Sequence, residues 1–266
     1  MLYLAPASRF ILFFESITNR QTQEVGIMKK WIFTTVCLLA GFITSASAVE
    51  KRGWETSITP YLWAINMDGD VGVDKLGTVP IDVDFDDVMD NMESAFALAI
   101  EIRKDNRWIF LVDGQYLGLG TEKNTASGLT QEIDLDGYML GAFVGYRTGT
   151  RVYLDILAGG RYVKQELELN LARLGSRSRS ETWVDALGGL RIIVPFTEQI
   201  GVSCTGLVGA GDSNLTWEAL PLVYWNITDW IGLKAGYRYL SYDFDKDNFI
   251  YDVDTDGFIT GVTVKF

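Results

Sequence analysis

The sequence predicts an all-β chain, a transmembrane up-and-down antiparallel β-barrel of about ten strands, with eight and twelve as the neighbouring even counts. Three observations predict it. Stretches of about ten residues or more alternate apolar and polar side chains with the two-residue period of a strand. The connections between them alternate in length, tight and then long. No apolar run in the body of the chain reaches the ~18 residues of a membrane helix, so any crossing must be made by strands.

The first element is not part of the barrel. Lys29-Lys30, an apolar stretch from Trp31 to Ile43, and Ala46-Ser47-Ala48 have the order of a secretory signal, with cleavage expected after Ala48. Met28 directly precedes the two lysines, so residues 1–27 read as an upstream artefact of start-codon choice, 28–48 as the signal and 49–266 as the barrel. Cys37 leaves with the signal, and Cys204 remains alone, so no internal disulfide can form. Removing residues 1–48 takes away four basic and two acidic side chains, leaving 19 against 33, a net charge of −14. That acidity argues against a nucleic-acid partner, whose binders carry basic patches.

From Trp54 onward strands are expected near 54–66, 93–104, 107–121, 130–147, 150–169, 180–196, 198–210, 214–227, 230–243 and 257–266. Residues 104–107, 148–150, 197–198 and 228–229 are tight turns, and 67–92, 122–129, 170–179, 211–213 and 244–256 are longer polar connections. Short turns on one side and longer loops on the other is the pattern of a barrel with its turns periplasmic and its loops outside. Phe96, Leu98, Ile100 and Ile102 form a lipid face on the second strand, as Ile231, Leu233, Ala235, Tyr237 and Tyr239 do on the ninth. Trp54, Trp108, Tyr146, Tyr153, Trp225, Trp230 and Phe266 fall near strand ends, where aromatic rings favour the headgroup level. Charges in lipid phase at the outer ends of the fourth and fifth strands require those ends to rise above the membrane. Within 67–92, residues 69–73 and 79–85 read as strand extensions and 85–92 as a helical turn whose Val88, Met89 and Met92 could cap the mouth, or equally as a solvated loop.

The opposite phase collects charges in the bore. Glu101, Asp113, Asp155, Asp185 and Glu218 face Arg103, Arg161, Arg191, Lys234 and Arg238, with Glu55, Arg147 and Lys265 on the same face. The signs nearly balance, and arginine makes fixed bidentate pairs with carboxylates. Barrels near eight strands fill their bore with side chains, whereas conducting porins have 16–18 strands. An ion-paired and largely obstructed lumen is therefore expected. Among acidic runs, Asp252, Asp254 and Asp256 before Gly257, and Asp243, Asp245 and Asp247, start like calcium loops, but the expected closing acid of the first is Thr263. They are weak metal candidates beside a solvated acidic loop. No cofactor is expected.

The order of local signatures resembles a family of proteobacterial outer-membrane β-barrel proteins, small and porin-like, with no assigned activity. The residues that carry this are Thr59-Pro60-Tyr61-Leu62-Trp63-Ala64 with Asp68-Gly69, Asp113 with Tyr116, Leu154-Asp155 with Ala158-Gly159 and Arg161-Tyr162, Gly189-Leu190-Arg191, Ser213 with Thr216-Trp217, Gly236-Tyr237-Arg238, and the terminal strand. The resemblance implies the outer membrane, contact with its lipid and lipopolysaccharide, and a terminal Phe266 of the kind that barrel-assembly machinery reads. Enzymatic outer-membrane barrels resemble one another in relying on a catalytic histidine, and this chain has none. The expectation is a non-enzymatic barrel with a structural or surface-interaction role. The alternatives are a narrow channel for small solutes or ions, and a receptor or adhesin acting through its outer loops.

Overall fold

Alternation along each segment becomes a wall with two faces. The computed structural model describes residues 53–266 apart from 74–77, 125–129, 172–174 and 247–248; the expected signal and upstream residues lie outside that range. Its elements are β1 (Trp54–Trp63), β2 (Asn66–Val73), β3 (Thr78–Val83), α1 (Phe85–Asn91), β4 (Met92–Lys104), β5 (Trp108–Asn124), β6 (Thr130–Gly149), β7 (Tyr153–Leu171), β8 (Gly175–Pro195), β9 (Ile200–Gly211), β10 (Leu215–Asn226), β11 (Ile231–Lys246) and β12 (Phe249–Lys265). Ten of them close a barrel: β1 pairs with β4, each following strand pairs with the next through β12, and β12 returns to β1. Every pairing is antiparallel, as short hairpin connections dictate.

The turns at one end are set by their residues. Asp105 and Asn106 both have positive φ, 53° and 52°, in the turn closed by the Arg107 amide on the Lys104 carbonyl at 3.0 Å, a backbone that aspartate and asparagine tolerate. Two other turns share a device: the Thr197 hydroxyl accepts from the amides of Gln199 and Ile200, and the Thr228 hydroxyl from those of Trp230 and Ile231.

At the other end the structure corrects the sequence reading. The described residues of 122–129, 170–179 and 244–256 are strand: β5 runs to Asn124, β7 to Leu171, and β8, β11 and β12 extend likewise. The asymmetry between the two ends therefore lies in strand length more than in loop length. Above the membrane both faces of a strand can be polar, so the period-two signal fades while the backbone ladder continues. Only the segment after β1 departs from a simple return. β2 pairs with the upper half of β12, β3 pairs with β2, and α1 leads into β4. Gly257 marks the point where β12 passes from β1 to β2; a Cβ there would lie 1.6 Å from the Ala64 carbonyl oxygen, so the close approach requires glycine. The helix is capped by Asp84, whose carboxylate accepts from the amides of Asp86 and Asp87 at 3.1 and 3.2 Å. Its Val88 is buried against Val83 and Leu119.

The outward face is apolar, with Leu140, Val144, Ile156, Leu190, Ile192, Val208 and Val223 exposed. Trp54, Trp108, Tyr146, Trp225, Trp230 and Phe266 form an exposed belt at the turn end. Tyr153, expected in that belt, has the inward phase and lies under the Arg147 guanidinium, 5.3 Å from the ring centre. A second belt holds Tyr138, Trp217, Tyr237, Tyr239 and Phe258, with the Tyr237 and Tyr239 hydroxyls bonded to Asp256 and Asp254. From Trp230 to Tyr239 the chain climbs roughly 30 Å at about 3.3 Å per residue, or roughly 23 Å along the normal at a tilt of about 40°, close to the height of an outer-membrane apolar band.

Candidate functional site in the barrel interior

The inward face is built in layers, because residues two apart on each strand step along the bore. Nearest the turns lies a first charged layer. Arg147 grips Asp155 with two bonds, Nε to Oδ1 at 2.6 Å and Nη2 to Oδ2 at 2.9 Å. Arg191 joins Asp155 at 2.8 Å to Glu101 at 2.7 Å. Arg103 bridges Glu101, at 3.4 Å, and Glu55. Lys234 stands on the same face with no ion-pair partner among the described residues.

An apolar layer of Phe143, Leu157, Leu187 and Leu207, with Leu111 against it, separates this from a second charged layer. There Arg161 and Arg238 both hold Glu218, and Arg238 reaches Asp113 at 3.0 Å. Both guanidinium groups and Glu218 are buried. Tyr61 donates to Asp113 at 2.7 Å and accepts from Arg238 at 3.2 Å. The Trp63 ring covers Arg238 at 4.9 Å. Higher still, Trp183, Tyr242, Phe244 and Phe249 pack with Met139, Val163 and Leu240.

Nine of the ten expected lumen charges thus face the bore beside a charge or in a charged layer, and Asp185 is the exception. It lies opposite Arg161 in the ladder, but Arg161 turns to Glu218. The fully buried Asp185 carboxylate instead accepts from the Ser213 amide at 3.0 Å and the Thr216 hydroxyl at 2.7 Å. It pins the β9–β10 turn, and Thr216 could not be seen as its partner without the fold. Tyr61, whose hydroxyl completes the upper layer, was missed as a lumen residue because a tyrosine on a barrel strand reads as an interface ring.

The metal candidates do not converge. Asp243, Asp245, Asp252, Asp254 and Asp256 occupy alternate positions on paired strands, and Asp247 lies outside the described residues. A strand spreads successive side chains of one face about 6–7 Å apart, whereas a calcium loop folds them onto one centre. Among the described residues no group of three or more acids, cysteines or histidines is gathered to hold an ion. Asp70, Asp252 and Asp243 instead form a row across β2, β12 and β11. Burial, then the neighbouring Asp243, Asp254 and Asp70, push the Asp252 carboxyl above the ordinary aspartate range. Asp87 on α1 is raised by burial and by Asp84. Asp212, bonded to Lys246 at 2.9 Å, is lowered by that bond. Phe266 closes the seam, its amide donating to the Thr56 carbonyl at 2.8 Å.

No family model matches the sequence, and no curated protein matches it. Solved structures do. The Yersinia pestis attachment invasion locus protein Ail, in complex with the heparin analogue sucrose octasulfate, is 18% identical over 80% of this chain and 99% of its own, with a TM-score of 0.39. The translocator domain of the Neisseria meningitidis autotransporter NalP is 14% identical over 91% and 96%, TM-score 0.41. The Escherichia coli outer-membrane protease OmpT is 9% identical over 84% and 100%, TM-score 0.46. The likeness is one of fold. Like these bacterial outer-membrane proteins, this chain is an antiparallel β-barrel, and its closed ladder establishes that by itself.

Proposed function

We propose that the chain is an integral outer-membrane barrel whose bore is closed by ion-paired layers and whose role is structural or one of surface interaction. The single observation that carries this reading is the group of buried Arg161, Arg238 and Glu218 with half-buried Asp113, stacked over an apolar layer and a second set of ion pairs. An ion or polar solute crossing the bore would have to break these pairs and then pass a ring of leucine and phenylalanine, leaving its hydration at both steps. Membrane insertion is supported by the apolar outward face between two aromatic belts. Lipopolysaccharide is the expected neighbour outside, and Phe266 the expected assembly signal.

Catalysis is disfavoured by the chemistry of the interior. Its acids are engaged by arginines or hydroxyls, and the chain has no histidine to act as a base near neutral pH. Ail is described with a polyanion, but the acidic row at this chain's outer end makes polyanion binding there unfavourable. Planar-bilayer recording of the refolded protein tests the reading. Silence at both polarities is expected; steady openings would overturn it in favour of a narrow channel. Removal of 67–92 that abolished a cell-binding phenotype while leaving the barrel folded would favour the receptor reading of the surface role.

A further inference from the structure

The wall of the barrel is open at one place. β1 and β4 stay paired from Trp54–Lys104 to Pro60–Leu98 and no further. Pro60 has no N–H to offer a ladder. Beyond it Tyr61, Leu62 and Trp63 pair only with β12, and the chain moves on to β2, which pairs with β12 and β3. The upper part of β4 keeps β5 on one side and has no strand on the other among the described residues. Leu62 and Phe96, the second pair beyond Pro60–Leu98 had the ladder continued, are 48% and 54% exposed. An open edge at membrane depth is tolerated only where protein covers it or a cavity brings water to its free backbone groups.

A cavity borders this edge. A half-open space of about 1640 Å³ runs along the outer wall past Ile192, Val202, Val223, Leu233 and Phe258, and continues to the inward-facing Leu117, Met139, Val163 and Tyr242. One space can reach both faces of a wall only where the wall is breached. Ala95 and Ala97 keep the gap wide, and Val88, Met89 and Met92 close it from above. Tyr61, Trp63 and Gln115 line its lower side, and the upper charged layer, two arginines and two carboxylates, lies behind Tyr61 and Trp63.

We propose that this opening is a lateral portal through which a free, uncharged, single-chain amphiphile, such as a long-chain alcohol, passes between the outer leaflet and a binding cavity in the upper bore. The proposal rests on the membrane reading given above. Three features select that ligand class. The lining is almost wholly apolar. Among the described residues no lysine or arginine lines the space to meet an anionic head, and Asp84, Asp86, Asp87 and Glu93 gather negative charge at the outer lip. The buried Trp63 indole N–H, which borders the cavity, has no acceptor and suits a hydroxyl oxygen.

The test uses refolded protein in phosphatidylcholine vesicles and hexadecanol carrying a mid-chain diazirine, with adducts mapped by mass spectrometry after photolysis. Wild type is expected to be labelled inside, at Met89, Met92 and Met139, and on the wall at Leu190 and Val208. Two variants close the portal. Ala97→Phe fills it, and Leu62→Cys with Phe96→Cys in a Cys204→Ser background staples it reversibly. Each should cut interior labelling about tenfold, the equivalent of about 1.4 kcal/mol. Wall labelling should stay unchanged, and reduction of the staple should restore the interior adducts. Interior labelling that ignores both variants, or that is absent from wild type while the wall is labelled, would overturn the portal. Equal interior labelling by the hexadecanoate probe would overturn the uncharged ligand, and by a phospholipid-borne probe the free one. Flotation with vesicles is read on every sample; protein that fails to float refutes the membrane reading itself, and the portal with it.

Discussion

Replacing Glu218 with glutamine keeps the shape of the side chain and removes the charge that holds two buried arginines. Arg161 loses its only ion pair among the described residues, while Arg238 keeps Asp113 at 3.0 Å. Breaking a buried ion pair from one side costs about 3–5 kcal/mol, because the remaining charge is left without compensation. Glutamine can still accept one hydrogen bond, so we expect about 3 kcal/mol for Glu218→Gln. Removing the stranded cation as well, as Glu218→Gln with Arg161→Met, should recover more than half of that loss. Glu55→Gln is the control: Glu55 also pairs with an arginine, but its side chain is 46% exposed, and the loss should stay under about 1 kcal/mol. The assay is guanidinium unfolding in phosphatidylcholine vesicles followed by tryptophan emission. If Glu218→Gln costs no more than Glu55→Gln, and the double variant shows no recovery, water screens the upper layer and the bore is open.

Leu233→Arg puts a charge on the outward face and should cost about 2–4 kcal/mol of insertion free energy, whereas Lys234→Ala, one residue on and facing inward, should insert normally; vesicle flotation separates the two. The raised Asp252 and Asp87 carboxyls hold their protons more tightly in the folded chain than in the unfolded one. The outer hairpin and α1 should therefore lose stability as the pH rises through those raised values and regain it on acidification, while the opposite contribution of Asp212 is lost as the pH falls; protease protection of the outer end across that range reads the sign. N-terminal sequencing of protein extracted from membranes should begin at Val49, and recovery of Met1 or Met28 in the mature chain would contradict the signal reading.

The membrane-facing half of this fold was legible because lipid enforces a strict alternation. Leu98, Ile100 and Ile102 can face only one way, and their phase sends Glu101 and Arg103 into the bore. Charge pairing could be anticipated as a set but not as partners, since Arg161 bypasses its ladder neighbour Asp185 for Glu218. Which acid an arginine reaches depends on strand tilt and on the other side of the bore, neither of which a linear pattern carries. The outer end was least legible. At Asp243–Lys246 and Phe249–Asp256 the acids alternate with Phe244, Tyr251, Val253 and Thr255 as a strand demands, yet acid-rich composition suggests a loop. Pro60 was visible from the start as part of a recurring signature, but its effect on the β1–β4 seam required the register.

β12 has an unusual number of obligations. It pairs with β11 along its length, with β1 over its second half and with β2 over its first. The ladder contacts that join Ser57 to Lys265 close a loop of roughly two hundred residues, the kind of long-range pairing whose entropy must be met before any local gain returns it. Until β12 docks, neither the seam of the cylinder nor the outer hairpin has its partner. Assembly should therefore be all-or-none at that step: a chain interrupted within β12 loses closure and the anchored outer hairpin together, and presents new unpaired edges in addition to those of β3 and upper β4.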